Sequence, residues 1–222
     1  MNNKLCIFGA SQFAEVAYYY LKKNYDILNF VVDNIDNNPK KLFDVDIITT
    51  EEFLKKYNTN EIYIYIAIAQ SKLNFQRKHK YLYFKNLGYK FITYIDESVK
   101  TYNSVIGENT FIFEGCLLSP FSKIGNNCIL WQGAIIGHHS TIADHCFLAG
   151  PSVLSGNSKL DENVYLGVNS TVRDGVKIGK NSFIGARCLI MKEVKPNSIY
   201  FENQSDKSNI SSLDFFDIKD KG

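Results

Sequence analysis

The sequence predicts two architectures in one chain of 222 residues: a small α/β domain followed by an all-β parallel β-helix. Three observations predict it. Every sixth residue from Ile106 to Ile190 is aliphatic, fifteen times without an insertion: Ile106, Ile112, Leu118, Ile124, Leu130, Ile136 and so on to Ile184 and Ile190. Four positions after each stands a small or slim residue, such as Thr110, Cys116, Ser122, Cys128, Ala134 and Ser140. Before Asn103 the pattern differs, with short apolar runs alternating with amphipathic ones.

Period six fits neither a lone strand, with its period of 2, nor a helix of period 3.6. It fits a chain that turns a corner every six residues, so that three short strands close one triangular coil of about eighteen. Fifteen repeats give about five coils, stacked roughly 4.8 Å apart into a prism about 24 Å tall. The aliphatic side chain points inward, and the slim position keeps the narrow cross-section from overpacking.

In the first domain, Lys4–Phe8 reads as a strand and residues 11–23 as a helix. A second strand over 27–32 ends at Asp33, and residues 34–41 read as loop. Thr49 precedes Glu52 by three, the capping-box spacing, which starts a short helix to about Tyr57. Residues 62–69 are rich in β-branched and aromatic side chains and read as a strand. Ser71 is expected to cap a longer helix that Gly88 ends, and 91–95 to make a last strand. That order implies a small parallel sheet covered by helices. The expected domains are 1–100, 101–200 and a C-terminal tail, 201–222.

Phe111, Leu117, Ile129, Ile135, Phe147, Phe183 and Leu189 precede inward aliphatics and are expected to point outward. A ribbon of apolar side chains on a solvent face requires a covering surface. Self-association is the expected cover, and a flat-sided prism suits a closed trimer.

No apolar run reaches eighteen residues and no charged-then-apolar leader opens the chain, so neither a membrane span nor a secretion signal is expected. The net charge is +2 and no basic cluster interleaves with aromatics, which gives no indication of nucleic-acid binding. Four of the five cysteines occupy the slim inward slot and the fifth, Cys6, lies in the first strand. They read as small hydrophobes in a reducing, cytoplasmic setting.

Three of the four histidines, His138, His139 and His145, fall within eight residues. His138 and His139 follow the inward Ile136 by two and three, which places them at a corner, facing outward or into a groove between copies. An imidazole there can take a proton from an amine or hydroxyl attacking an acyl group. Surface filler is the rival reading. Zinc held by histidines across an interface is a third, but His139 and His145 are six residues apart, hence on adjacent corners, and no metal site is expected. In the first domain Gly9-Ala10-Ser11 joins the first strand to its helix, whose N-terminal amides suit a phosphate. Asp33 ends the second strand and is placed to accept from a ribose or base. The full glycine fingerprint is missing, since Gln12 and Phe13 follow Ser11, and a tight βα turn with a loop aspartate is the alternative.

On these residues the chain resembles the sugar O-/N-acyltransferases, typified by sialic acid O-acetyltransferase and by enzymes that N-acetylate nucleotide-linked 4-amino sugars. The resemblance implies a Rossmann-like domain followed by a left-handed β-helix, and a homotrimer with acetyl-CoA along the groove between adjacent β-helices. It implies His138 as general base and Gly156 as the backbone N–H donor at the thioester carbonyl, with no metal. His139 and Asp144 stand as orienting or supporting candidates. Gly9, Ser11 and Asp33 match the nucleotide-sugar region, and Gly156, Gly185 and Ala186 the cofactor channel. Many relatives carry an acid where His139 stands, and His139 is not expected to play a carboxylate's orienting part. Relatives also differ at Gln12 and Phe13 and often close with Gly-x-Pro-Ala where this chain has Tyr200-Phe201-Glu202-Asn203-Gln204. The implied activity is acetyl transfer from acetyl-CoA to the amine of a nucleotide-linked amino sugar. O-acetylation of a sugar hydroxyl, or a non-catalytic nucleotide-sugar-binding protein, are the alternatives.

Overall fold

The computed structural model describes residues 3–35, 39–203 and 205–216. The first domain runs β1 (Lys4–Phe8), α1 (Gln12–Leu21), β2 (Asp26–Val32), β3 (Lys41–Leu42), β4 (Val45–Thr49), α2 (Thr50–Lys56), β5 (Tyr63–Ile66), α3 (Phe75–Asn86) and β6 (Lys90–Phe91). Its sheet has the order β3-β4-β2-β1-β5-β6 and is parallel except for the β3–β4 pair. The chain grows to one side of β1 and then jumps to the other, so a topological switch point lies between the carboxyl ends of β1 and β5.

The capping box forms as expected: Glu52 N–H donates to Thr49 Oγ1, and Thr49 N–H donates to Glu52 Oε2 at 2.7 Å. Gly88 ends α3, with its own N–H on Lys85 O and that of Tyr89 on Phe84 O, the paired bonds of a Schellman turn. Ser71 does not cap α3. The helix starts four residues later, after Lys72, Leu73 and Asn74 turn through three successive positive φ angles of 47°, 50° and 65°. The strand read at 62–69 shortens to Tyr63–Ile66, and β4 is a parallel strand that the loop-rich stretch before it concealed. Part of the loop read at 34–41 lies outside the described residues; Lys41 already belongs to β3.

The strand read over 91–95 is two strands serving different sheets. β6 closes the α/β sheet, whereas β7 (Tyr94–Ile95) pairs with Phe111–Ile112 and begins the β-helix. Its three sheets are parallel ladders with successive strands eighteen residues apart, as in Leu117↔Ile135↔Val153↔Thr171↔Leu189. After Ile190 the last coil is two residues short, so that Phe183 pairs with Ile199. Fourteen of the fifteen hexad aliphatics are buried, and only Ile106, on the first coil, is partly exposed. All fifteen slim positions from Thr110 to Val194 are buried between them.

The three faces of the prism meet different fates. The face carrying Phe111, Ile129 and Phe147 lies under the first domain, where Phe13, Tyr20 and Tyr65 pack on Phe111 at ring-centroid distances of 6.4, 6.0 and 5.3 Å. These outward residues are therefore covered within the chain, a correction to the expectation that they meet another copy. A second face presents Lys123, Lys159 and Lys177, the last two paired with Asp161. The third carries Leu117 and Leu189, 60% and 63% exposed, with Ile135 and Val153 half-buried between them. This apolar face is open.

Polar columns hold the corners. One edge stacks Asn109, Asn127, His145, Asn163, Asn181 and Asn197, all with positive φ, the backbone region asparagine tolerates best among residues with a side chain. Asn109 Nδ2 donates to Asn127 Oδ1 at 2.6 Å, and Asn127 Nδ2 bonds His145 Nδ1 at 2.8 Å. Arg77 of α3 enters beside this column, fully buried, and donates to the carbonyls of Ile68, Ala69, Asn127, His145 and Cys146. It ties the first domain to two coils.

Candidate active site

Two regions collect the residues singled out from the sequence. The first is a crevice of about 490 Å³ at the switch point, lined by Gly9, Ser11, Asp33, Asn34, Ala67 and Gln76 among others. Gly9 has φ +122°, and a Cβ there would stand 2.7 Å from Ala67 O, so only glycine lets β1 turn this close to β5. Ser11 lines the crevice and occupies the N-cap of α1, but its side chain makes no capping bond, which leaves the first amides of the helix without a side-chain partner at the N-cap. Asp33 is not a bare acceptor: Oδ1 takes the Thr50 hydroxyl at 3.1 Å and pairs with Lys80 Nζ at 2.6 Å. Lys80 thus brings a cation to the rim, a residue that a lysine-rich helix gives no reason to single out. A second cleft of about 720 Å³ adjoins through Ser11 and Ala69 and is walled by Gln12, Phe13, Trp131, Phe147 and Tyr165. Its far wall belongs to the β-helix. The join is visible only once the two domains are docked.

The second region is an edge of the prism bordering the open apolar face. His138 follows the strand Ile135–Ile136, and its carbonyl accepts the Asn157 N–H at 2.8 Å, which locks its turn to the next coil. The ring is exposed and lies across Gly156: a Cβ on Gly156 would fall 2.7 Å from His138 Nε2. The Gly156 carbonyl takes the N–H of Gly175 at 2.9 Å, whereas the Gly156 N–H meets no acceptor among the described residues. A free N–H beside an imidazole nitrogen is the pairing that acyl transfer requires, one group for the proton and one for the developing oxyanion.

His139 adopts φ +58°, packs against Phe121 with ring centroids 4.9 Å apart, and turns its Nδ1 to within 3.2 Å of Nδ1 of His138. It is therefore in hydrogen-bond reach of His138, as an imidazole and not as the carboxylate that many relatives carry. Asp144 is not. Its Oδ1 accepts the Asn126 N–H at 2.7 Å on the asparagine edge, where it fastens one coil to the next. His145 stands on that same edge, buried, with the Tyr81 ring 5.6 Å away, and burial lowers its pKa to about 4. His139 and His145 thus occupy different edges and do not converge within the chain. Among the described residues no group of three His, Cys, Asp or Glu side chains could hold a metal ion.

Gly185 and Ala186 lie at the third edge, across the open face from His138 and Gly156. Gly185 is buried, with Tyr200 O 2.9 Å from where its Cβ would stand, and Ala186 is exposed. Within one chain these residues and the histidines flank one apolar face without meeting. All five cysteines are free thiols and buried; burial pushes Cys6 up to about 12 and Cys116 up to about 11. Neither value suits a nucleophile. Among the described residues no helix is long and apolar enough to cross a membrane.

Residues 103–138, 121–156 and 157–192 match the family model described as bacterial transferase hexapeptide (six repeats). No protein of curated function matches the chain by sequence. Among solved structures, the chain is similar to the acetyltransferase domain of PglB from Neisseria gonorrhoeae in complex with acetyl coenzyme A. That match has a TM-score of 0.80 at 19% identity, covering 90% of this chain and 96% of the other. It is also similar to a histidine-to-asparagine mutant of perosamine N-acetyltransferase from Caulobacter crescentus in complex with CoA and GDP-perosamine (TM-score 0.80, 20% identity, 88% and 92% covered). WeeI from Acinetobacter baumannii is a third (TM-score 0.71, 16% identity, 88% and 94% covered). Residues 103–192 are thus matched as bacterial transferase hexapeptide repeats, and the chain has the fold of these acetyltransferases, an N-terminal α/β domain followed by a left-handed parallel β-helix.

Proposed function

We propose that this protein transfers an acetyl group from acetyl-CoA to the amine of a nucleotide-linked amino sugar. The observation that carries the reading is His138 Nε2 lying against Gly156, beside a backbone N–H without an acceptor among the described residues. The amine attacks the thioester carbonyl as a free base, and a carbon–nitrogen bond forms while one N–H proton passes to His138 Nε2. The Gly156 N–H donates to the oxyanion, the carbon–sulfur bond breaks, and the imidazolium returns its proton to the departing thiolate. The products are the N-acetyl sugar and CoA, with His138 neutral again. The crevice at Gly9, Ser11 and Asp33, with Lys80 at its rim, is the assigned nucleotide subsite, α1 presenting its N-terminal amides to the phosphates. Solved relatives of the same fold bound to acetyl coenzyme A and to CoA with GDP-perosamine support both ligands.

The working unit in this reading is a homotrimer. The open face with Leu117 and Leu189 has the histidine edge on one side and the Gly185–Ala186 edge on the other. A second copy packed there buries the apolar residues and forms the groove in which acetyl-CoA reaches Gly156. Five buried thiols and the need for acetyl-CoA support a cytoplasmic setting.

One assay tests the function. Acetyl-CoA is offered with GDP-perosamine, UDP- and dTDP-linked 4-amino sugars and free sialic acid, and CoA release is followed together with product mass. A nucleotide-linked N-acetyl product is expected. Acetylation of free sugar hydroxyls alone, or inertness across the panel, contradicts the proposal. Light scattering of the same preparation is expected to give three times the chain mass, and a stable monomer removes the shared groove.

A further inference from the structure

On the histidine edge the chain stacks His138, Gly156 and Asp174 at eighteen-residue intervals. Gly156 has no side chain, and the two neighbours reach into the notch this leaves. One point, the place of a Cβ on Gly156, is 2.7 Å from His138 Nε2 and 2.8 Å from Asp174 Oδ1. Asp174 follows the strand Thr171–Val172 and is exposed, and among the described residues its carboxylate takes no hydrogen bond and no ion pair. Two other aspartates of the β-helix are engaged: Asp144 by Asn126, and Asp161 by Lys159 and Lys177.

The contact between the two histidines bears on what the notch presents. His138 Nδ1 and His139 Nδ1 lie 3.2 Å apart, a hydrogen bond in which either ring can be the donor. In the base-competent form His138 is the donor, so Nε2 is a bare acceptor. Asp174 Oδ1 is an acceptor too. Two acceptors then face one small space, and among the described residues no side-chain donor bonds either of them there; the Gly156 N–H is kept for the oxyanion. A group seated just outside Gly156 satisfies both only if it carries at least two hydrogens on one atom. A primary amine does. A hydroxyl has one hydrogen, and whichever acceptor it engages, the other is left facing an oxygen lone pair.

We infer that Asp174 is a specificity-determining residue that binds the acceptor's amine and selects it over a hydroxyl. One N–H is held by the carboxylate while the other points at His138 Nε2, so the same contact that discriminates also aims the proton to be removed. A carboxylate here additionally attracts the amine in its protonated, free-solution form. A site built to bond a particular hydrogen rejects the analogue that lacks it more strongly than an apolar pocket rejects a missing methyl group. The inference rests on the acetyl-transfer reading and adds to it the feature that makes the enzyme an N- rather than an O-acetyltransferase.

The test compares wild type with Asp174→Asn and Asp174→Ala. The probes are a nucleotide-linked 4-amino sugar that the wild type acetylates and, as competitive inhibitor, the same nucleotide sugar with a 4-hydroxyl. Asp174→Asn is expected to raise KM for the amine about tenfold or more, the scale of one lost charged hydrogen bond. It is expected to leave the hydroxyl compound's inhibition constant, the KM for acetyl-CoA and the melting temperature unchanged. Equal losses for amine and hydroxyl, or an unchanged amine KM in an active enzyme, overturn the role of Asp174 and leave the acetyl-transfer reading standing. A wild type inert on every nucleotide sugar removes both.

Discussion

Nδ1 of His138 stands 3.2 Å from Nδ1 of His139, and the second ring is held in place by Phe121 and by a backbone at φ +58°. Two imidazole nitrogens at that separation require one to carry the hydrogen and the other to accept it. The arrangement orients the ring of His138 without any carboxylate, and in the tautomer in which His138 is the donor it leaves Nε2 free for proton transfer.

From this pair follows a test of orientation. Asparagine fits the backbone of residue 139, as it does at Asn127 and Asn157 with similar positive φ. His139→Asn is therefore expected to fold and melt like wild type. Its shorter side chain does not place an acceptor where the imidazole nitrogen stood, and turnover is expected to fall about ten- to a hundredfold, the range for removing a partner that orients a reactive imidazole. His139→Glu is expected to restore much of the loss. Steady-state kcat on the acetylated sugar reads both; an unchanged kcat in His139→Asn means that His138 is positioned by something else.

Arg77 gives a stability prediction. Its guanidinium is fully buried among carbonyl groups of Ile68, Ala69, Asn127, His145 and Cys146, and the same burial lowers its pKa to about 10. Arg77→Ala removes the donor from the carbonyls of Ile68, Ala69, Asn127 and His145, while Cys146 O keeps the Ile129 N–H, and opens a cavity between α3 and the coils. The expected loss is about 3 kcal/mol or more, the scale of a broken buried network. Chemical denaturation checks it, and a loss below about 1 kcal/mol would show that the docking of the two domains does not depend on this side chain.

His145 gives a pH prediction. Burial lowers its pKa from 6.5 to about 4. Between those values the unfolded chain binds a proton that the folded chain refuses, so the stability this residue confers is present above pH 6.5 and is lost as the pH falls toward 4. His145→Asn continues the asparagine column between Asn127 and Asn163, whose buried Oδ1 otherwise has no partner. The variant is expected to melt close to wild type at pH 7.5 and to show a smaller drop in melting temperature at pH 5. An identical drop assigns the acid sensitivity to other groups.

Much of the β-helix was legible because its information is local. The inward aliphatic and the slim residue four positions on are fixed by one period, and neither depends on what lies outside the coil. The partners of the outward positions are not encoded that way. Phe111 and Leu117 look alike in sequence, yet one is buried under Phe13 and Tyr20 and the other is exposed, because only the docking of the first domain distinguishes the faces. Arg77 lies in a helix dense with lysine and tyrosine, and nothing local marks it as the buried cation. The site divides the same way. His138 and Gly156 are eighteen residues apart and could be aligned from the period, and the same arithmetic extended once more reaches Asp174. The Asp33–Lys80 pair and the aromatic wall at Trp131 and Tyr165 needed the folded chain.

The central claim is that His138 is the proton acceptor in acetyl transfer to an amine. The most direct measurement is the rate of CoA release, with product mass, for wild type and His138→Asn given acetyl-CoA and a nucleotide-linked 4-amino sugar, alongside acetyl-CoA affinity by calorimetry. Turnover is predicted to fall about 10²- to 10⁴-fold, the contribution of general acid–base help, with acetyl-CoA bound as before. A His138→Asn enzyme that releases CoA at the wild-type rate and still yields the N-acetyl sugar would contradict the account.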